Sequence, residues 1–208
     1  MLGKSREIYQ ILLMICVAGI LWFFTFAVDL FNFWLKISLS AGSLAIISTL
    51  ISSPEKDQYR ITVKNIVYGF LSAGVLYGIF YLGNYVSGIL FDFSAHQVGD
   101  IYAKAEGTHS GIILFILLCI TSPAEEIFWR GYLQRKLMAR YSDLSGWIIG
   151  SIVYGLVHVW SMNFMLVGAA MVAGAYWGLL YLRYRSLSML IISHAVWTVG
   201  VFVLFPIG

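Results

Sequence analysis

Two adjacent glutamates and an arginine, Glu125, Glu126 and Arg130, lie in a largely apolar stretch of this 208-residue chain. A charged side chain at bilayer depth costs at least about 2.5–3.5 kcal/mol, so ionisable groups found there usually have a function. Residues four apart share a helix face, which predicts a pair between Glu126 and Arg130. Glu125 then has no partner on its own helix and is free to act as a general base. The alternative is that both carboxylates only form salt bridges between helices.

Two histidines lie inside later apolar stretches: His158 follows Tyr154 by four residues, and His194 precedes Thr198 by four. We counted 1.5 Å per helical residue from the charged end of each helix. This places Glu125 and the two histidines about 14–20 Å deep, with Thr198 near 20 Å. Three separate helices therefore bring these groups to overlapping depth. The pattern predicts one shared site.

Hydrolysis of a peptide bond is the chemistry that fits these groups. Glu125 would take a proton from a water molecule that His158 holds or shares. His194 and Thr198 would donate hydrogen bonds to the oxyanion, and the neighbouring Glu-Arg pair would brace the base or bind substrate. Ser193 is not a suitable nucleophile, because adjacent helical residues diverge by about 100° and cannot share a proton well with His194.

A metal ion is the alternative to water activation by the carboxylate alone. Glu125, His158 and His194 together match a catalytic zinc ligand set. The chain has no His-Glu-x-x-His pattern, however, and coordination would use up the carboxylate needed as a base. We therefore expect no cofactor. Cys16 and Cys119 both lie in apolar runs and are expected to be buried, without forming a disulfide framework or a metal site.

The composition predicts the elements that must hold these groups in place. The chain is 60% hydrophobic and 11% charged, whereas a soluble domain has about 25% charged residues. This indicates an all-α polytopic membrane protein, and the net charge of +3 does not indicate nucleic-acid binding. Seven apolar stretches are long enough to cross a bilayer. They cover residues 8–28, 37–51 (extended from 33), 63–91, 111–140, 144–160, 164–182 and 187–205.

Other features refine this picture of a single helical bundle. Pro123 is expected to kink the fourth span. Residues 91–110 suggest a short interfacial helix, in which His96 and His109 are solvated rather than metal ligands. The third span carries glycines at spacings that let helices approach closely. These are Gly69, Gly74, Gly78, Gly83 and Gly88.

The distribution of lysine and arginine predicts the orientation. With the N-terminus inside, the outer segments contain only Lys36 and Lys104, and Arg130 is within the membrane. The inner segments hold Lys4, Arg6, Lys56, Arg60, Lys64, Arg135, Lys136, Arg140, Arg183 and Arg185. This asymmetry predicts an N-terminus inside and a C-terminus outside. We expect a single transmembrane domain over residues 1–208. Its first part is 1–110, with three spans and an outer segment, and 111–208 is the motif-bearing core.

Three short motifs follow one another on three late spans. They are Glu-Glu-x-x-x-Arg, Tyr-x-x-x-His and His-x-x-x-Thr, and they are filled in order by Glu125, Glu126, Arg130, Tyr154, His158, His194 and Thr198. In this order the chain resembles the CAAX protease and bacteriocin-processing (CPBP) family, which includes the type II CAAX prenyl endopeptidases. That family has Phe where this chain has Tyr154, and Asn or Asp where it has Thr198. A threonine hydroxyl reaches less far than an amide.

The resemblance implies an intramembrane endopeptidase that cleaves a membrane-associated or lipidated peptide or protein. The first glutamate would be its base and the histidines its partners, although members are often described as metalloproteases. It also implies a bacterial cytoplasmic membrane. One alternative is a non-catalytic scaffold, immunity or regulatory protein that binds a peptide or partner. Another is a proton-coupled transporter, but the chain lacks the internal repeat typical of that class.

Overall fold

The computed structural model describes residues 2–207, with side chains described from residue 5 onward. The chain is 86% helical, and no strand occurs in residues 2–207. A short 3₁₀ turn, Lys56–Tyr59, precedes the third helix. The helices are α1 (Leu2–Ala27), α2 (Phe33–Ser52), α3 (Val63–Leu90), α4 (Ser94–Ala103), α5 (Ser110–Arg140), α6 (Asp143–Ser161), α7 (Phe164–Tyr184) and α8 (Leu187–Leu204).

All of these helices except α4 are long and apolar enough to cross a membrane, which confirms the seven predicted spans of an integral multi-pass membrane protein. The predicted interfacial segment contains the ten-residue helix α4. His96 on α4 is largely exposed and lies 3.3 Å from Asp100. The His109 ring accepts a hydrogen bond from the amide of Gly111 and caps α5. Both contacts are local, as expected for solvated side chains.

Polar side chains fix where most of the spans begin. Each one accepts a hydrogen bond from an amide of the first helical turn, which has no partner within the helix itself. The caps of α2, α3, α6, α7 and α8 are Asn32, Thr62, Ser142, Asn163 and Ser186. Composition alone defines the boundaries between the apolar stretches only to within a few residues, and these caps mark where each helix begins.

One face of the bundle gathers the cationic helix ends, and we call it the charged face. Arg135, near the end of α5, donates to the carbonyl of Ser52 at the end of α2 at 2.7 Å. Arg185 after α7 lies 2.8 Å from the carboxylate of Asp143 at the start of α6. The ends of four spans therefore meet at this face.

The other ends of the spans meet at what we call the opposite face. The Trp34 indole at the start of α2 donates to the carbonyl of Lys104 at 3.0 Å. Asn163, before α7, donates to the carbonyl of Gln97 on α4 at 2.7 Å. The helix α4 is thus fixed across this end of the bundle.

The helix α5 is not uniformly α-helical. It widens into π-helical turns over Leu117–Thr121, just before Pro123, and again over Ile127–Gln134. Such turns commonly occur at functional sites. The short α-helical piece between them, Ser122–Glu126, carries both glutamates.

Two glycines allow close approaches between helices near the predicted site. A Cβ at Gly69 would lie 2.6 Å from the side chain of Ile192, so α3 packs directly on α8. A Cβ at Gly174 would lie 2.8 Å from the ring of Tyr154, so α7 packs directly on α6. The expectation for the other glycines of α3 is wrong, since no atom lies within 4 Å of a Cβ built at residues 74, 78, 83 or 88.

The two cysteines are free, as expected, but the prediction that they are buried is wrong. Cys16 and Cys119 are exposed on the outside of the bundle. A membrane protein meets lipid at this surface, so an apolar side chain gains nothing by turning inward. Hydrophobicity therefore did not predict burial here.

Candidate active site

A cavity of about 470 Å³ is lined by residues from all eight helices. Glu125, His158, His194 and Thr198 all line it, although they come from three different spans. These are the four side chains that helix counting placed at overlapping depth. Each of the four is at most 8% exposed, so the polar groups lie at the bottom of a mostly apolar cleft.

Glu125 presents one carboxylate oxygen to a neighbouring helix and the other to the cavity. Its Oε2 accepts a hydrogen bond from the Tyr154 hydroxyl at 2.9 Å. Its Oε1 accepts no hydrogen bond from the described residues. The expectation that Glu125 has no partner therefore holds within its own helix but not across to α6. A carboxylate held by one oxygen and open at the other is suitably placed to take a proton from water.

Glu126 lies behind the cavity and links two spans. Its Oε1 is 2.9 Å from the Arg130 guanidinium and 2.7 Å from Nδ1 of His194. Arg130 also donates to the carbonyl of Gly174 at 3.3 Å. Glu126 has no exposed surface, so it can brace the site but cannot contact a substrate directly. Of the two roles considered for this pair, bracing fits the geometry.

The ring of His194 is held on two sides. Trp177 stacks on it with 3.9 Å between ring centroids, and Glu126 accepts the hydrogen bond from Nδ1. Nε2 has no hydrogen-bond partner among the described residues. When the ring carries both protons, it donates one to Glu126 and can direct the other into the cavity. That arrangement suits the stabilisation of an oxyanion.

Ser193 is not available as a nucleophile. Its hydroxyl is fully buried, and it accepts hydrogen bonds from Ser72 at 2.9 Å and from the Trp177 indole at 3.1 Å. Ser193 does not line the cavity. This geometry agrees with the sequence-based argument that Ser193 and His194, as adjacent residues of one helix, cannot share a proton well.

Both nitrogens of His158 already have protein partners. Nδ1 lies 2.8 Å from the carbonyl of Tyr154, which can only accept, so this nitrogen carries the proton. Nε2 therefore accepts the hydrogen bond from the Trp22 indole at 3.2 Å. His158 can hold a catalytic water through Nε2 only when Trp22 gives up this bond. As placed, the ring fixes the backbone of Tyr154 and one wall of the cavity.

Thr198 lines the cavity, but its hydroxyl is engaged elsewhere. It lies 2.9 Å from the carbonyl of His194 in the previous helical turn and 3.2 Å from the Ser122 hydroxyl. Its proton is directed to the carbonyls of His194 and Ala195, so the Ser122 hydroxyl can donate to its oxygen. The oxyanion role considered for Thr198 would require the side chain to rotate.

Replacing Thr198 by valine is expected to have little effect on cleavage. Valine keeps the shape of the side chain and removes a hydroxyl that donates within its own helix. We expect the variant to retain at least about a third of wild-type cleavage and to lose about 0.5–1.5 kcal/mol of stability. Cleavage rates and unfolding curves of the purified variant measure the two effects. A fall of about 10²–10³-fold would instead give Thr198 a direct oxyanion role.

Replacing Tyr154 by phenylalanine is expected to have a larger effect. The ring and its packing remain, but the hydrogen bond to Glu125 is lost. A hydrogen bond to a charged group contributes about 1.5–3 kcal/mol, so cleavage should fall about 10- to 100-fold. The matched control is Tyr85→Phe on the exposed surface of α3, which should cleave like wild type. Unchanged cleavage by the Tyr154 variant would show that this hydrogen bond does not position Glu125.

Lys104 is the one lysine or arginine among the cavity-lining residues. Its ammonium lies 5.4 Å from the ring centroid of Phe33 and 5.9 Å from that of Phe26. Partial burial, followed by the positive charge of nearby Lys36, lowers the pKa of Lys104. This cation stands at the α4 end of the cavity, whereas Glu125 is the carboxylate at its bottom.

The donor groups fit a metal ion poorly. No group of three or more His, Cys, Asp and Glu side chains within the described part of the chain is arranged to hold one. His158 has no free nitrogen lone pair, since Nδ1 is protonated and Nε2 accepts from Trp22. The set considered for zinc is thereby reduced to Glu125 and His194. Two ligands are fewer than the three that catalytic zinc sites use.

One known protein family matches the part of the chain that carries these site residues. Residues 108–200 match the family described as type II CAAX prenyl endopeptidase Rce1-like. The Rce1-like match spans all six predicted site residues and confirms the family resemblance over this segment. The family that this segment resembles is one of proteases. No curated protein and no solved structure matches the chain significantly.

Two residues of the site were missed from sequence. Trp22 lies on α1, outside the Rce1-like segment, and its indole completes the hydrogen bonding of His158. Trp177 supplies the stacking surface for His194. Tryptophan is common in membrane helices near the interfaces, so neither residue stood out. No spacing rule connects Trp22 to a partner 136 residues away.

Proposed function

We propose that this protein is an intramembrane endopeptidase that cleaves a membrane-associated or lipidated peptide or protein. The observation that carries the proposal is the carboxylate of Glu125, with one oxygen held by Tyr154 and the other open to a buried cavity. The Rce1-like match supports the reaction class. The seven spans support a substrate that reaches the site within or beside the membrane.

In the proposed reaction Glu125 takes a proton from water while the water oxygen bonds to the peptide carbonyl carbon. The carbonyl oxygen becomes an oxyanion, which doubly protonated His194 stabilises through Nε2. Glu125 then gives its proton to the peptide nitrogen as the carbon–nitrogen bond breaks. The products are a carboxylic acid and an amine, and one water is consumed. No covalent intermediate with the protein is needed.

Glu126 and Arg130 act in this proposal through His194. The Glu126 carboxylate accepts from Nδ1 and so holds the ring in its orientation, and Arg130 holds that carboxylate in place. His158 acts through Tyr154, whose backbone carbonyl it fixes. We propose that no cofactor takes part, because the donor groups fit a metal ion poorly.

We further propose that the protein works in a bacterial cytoplasmic membrane, with a peptide or membrane-anchored protein as its partner. The seven spans support a membrane location, and the bacterial source is what the resemblance of the motifs to the CPBP family implies. The second candidate function is a non-catalytic peptide-binding, immunity or regulatory protein. Two features of Thr198 favour it. The family motif has an amide or an acid at this position, and the Thr198 hydroxyl donates to the carbonyl of His194 within its own helix.

Cleavage of a defined peptide library by purified protein in liposomes tests the proposal. The library carries a fluorophore and a quencher around a C-terminal Cys-Ala-Ala-X sequence, in prenylated and unprenylated forms. We expect cleavage of at least one form, with mass spectrometry locating the new carboxyl and amino groups. Tight binding without any cleavage would favour the non-catalytic candidate. Proton uptake coupled to intact peptide would instead support a transporter.

A further inference from the structure

We propose that the catalytic cavity opens to the outer side of the membrane, so that the substrate is a peptide or protein segment already exported or exposed there. This inference rests on the proposed function for the kind of substrate. The direction in which the cavity opens comes from two separate observations. The first is which half of the bundle holds the cavity, and the second is which side of the membrane that half occupies.

The cavity is confined to the half of the bundle that ends at the opposite face. Its lining residues on α3 begin at Ile79, in the later part of that helix, and those on α7 end at Trp177. On α8 they run from His194 onward, again toward the opposite face. No lining residue belongs to the charged face. A substrate must therefore approach from the α4 side.

Charge distribution assigns the charged face to the inner side. Ten of the thirteen lysines and arginines stand at this face in the sequence, although the side chain of Lys4 lies outside the described residues. Hydrogen bonds such as that from Arg135 to Ser52 bring the helix ends that carry them together. An excess of this size on the segments flanking the spans favours the cytoplasmic side.

The two cations at the opposite face are each explained by a local contact. Lys36 is buried, and its ammonium donates to the carbonyl of Val28 at 2.6 Å. Lys104 lies over the rings of Phe26 and Phe33. Neither is a surface anchor of the kind that sets orientation. They therefore do not weaken the asymmetry.

The opening itself has the chemistry of an apolar peptide site. Phe91 and Phe164 line it, are exposed, and contact each other with 5.8 Å between ring centroids. Val98 and Ile101 of α4 continue the same wall. An extended peptide with apolar side chains could bury them here while its backbone reaches Glu125. The bond to be cut would then lie in the outer half of the membrane.

Thiol labelling from each side of the membrane tests the direction without requiring any cleavage. The starting protein has Cys16 and Cys119 replaced by alanine. Ala169→Cys and Ala173→Cys place single thiols on the cavity wall, and Val98→Cys places one on α4 in case a deeper variant does not accumulate. The matched control is Ala139→Cys, an exposed position at the charged face. The reagent is a sulfonated maleimide that cannot cross membranes.

We expect the cavity thiols to react in right-side-out vesicles and to lose labelling in inverted vesicles, with the opposite result for Ala139→Cys. Reaction of the cavity thiols only in inverted vesicles would overturn the proposal. Reaction only with a membrane-permeant maleimide would also overturn it, because the cavity would then be reached from lipid alone. Since labelling needs no substrate, a negative cleavage result does not affect this test.

Discussion

Glutamine in place of Glu125 is expected to slow peptide cleavage by about 10²–10⁴-fold, the usual contribution of general acid–base catalysis. The carboxamide has the same shape and can still accept the hydrogen bond from Tyr154. It cannot take a proton from water at neutral pH. The loss should therefore appear in the rate of bond cleavage, measured with saturating peptide, while membrane insertion and unfolding stay close to wild type.

The matched control for this variant is Glu106→Gln. Glu106 is exposed in the segment between α4 and α5, and its substitution removes the same charge far from the cavity bottom. We expect it to cleave like wild type. Wild-type cleavage by the Glu125 variant would remove the central residue of the mechanism. An equal loss in both variants would point to an effect of overall charge.

Alanine in place of Arg130 is expected to destabilise the folded protein by about 3–5 kcal/mol, the usual cost of removing one partner of a buried ion pair. Glu126 has no exposed surface and would remain as a buried charge with only His194 beside it. The guanidinium also lies 4.7 Å from the ring centroid of Tyr154, so packing is lost as well. Equilibrium unfolding in detergent with increasing denaturant measures the change.

The same substitution at Arg185 is the control. Arg185 and Asp143 form an ion pair of similar length, but their side chains are 42% and 66% exposed. Such pairs contribute at most about 1 kcal/mol. Comparable losses at both arginines would mean that burial does not decide the effect. A double variant with Glu126→Gln and Arg130→Met removes both charges and should recover much of the stability without recovering activity.

Sequence reasoning succeeded where a physical rule connects residues close together in the chain. Four-residue spacing on a helix predicted the Glu126–Arg130 pair, which is present. Hydropathy predicted seven spans. Counting residues from charged helix ends placed Glu125 and His158 at similar depth, and both line the same cavity. Depth is readable from sequence because the rise per helical residue is nearly constant.

Orientation around the helix axis was harder to predict. No pattern in the chain indicates that the Tyr154 hydroxyl faces Glu125 or that Trp22 faces His158. These contacts depend on how far each helix is rotated against its neighbours. The π-helical turns on either side of Ser122–Glu126 change that rotation within α5 itself. A uniform helix of 3.6 residues per turn does not describe this span.

Burial was also harder to predict than in a soluble protein. Cys16 and Cys119 are apolar and exposed, since lipid accepts such side chains at no cost. Four of the five glycines on α3 have no close neighbour, although their spacing resembles a packing motif. In a membrane, apolarity shows that a residue lies within the bilayer. It does not tell whether that residue faces protein or lipid.

Cleavage by metal-depleted protein tests the central claim most directly, which is that Glu125 activates water without a metal ion. The purified protein is dialysed against a strong chelator, its metal content is measured by mass spectrometry, and cleavage of the peptide library is then followed. We expect cleavage to continue at the wild-type rate when less than about one metal ion per ten protein molecules remains. Loss of cleavage on chelation, restored by adding zinc, would contradict the account.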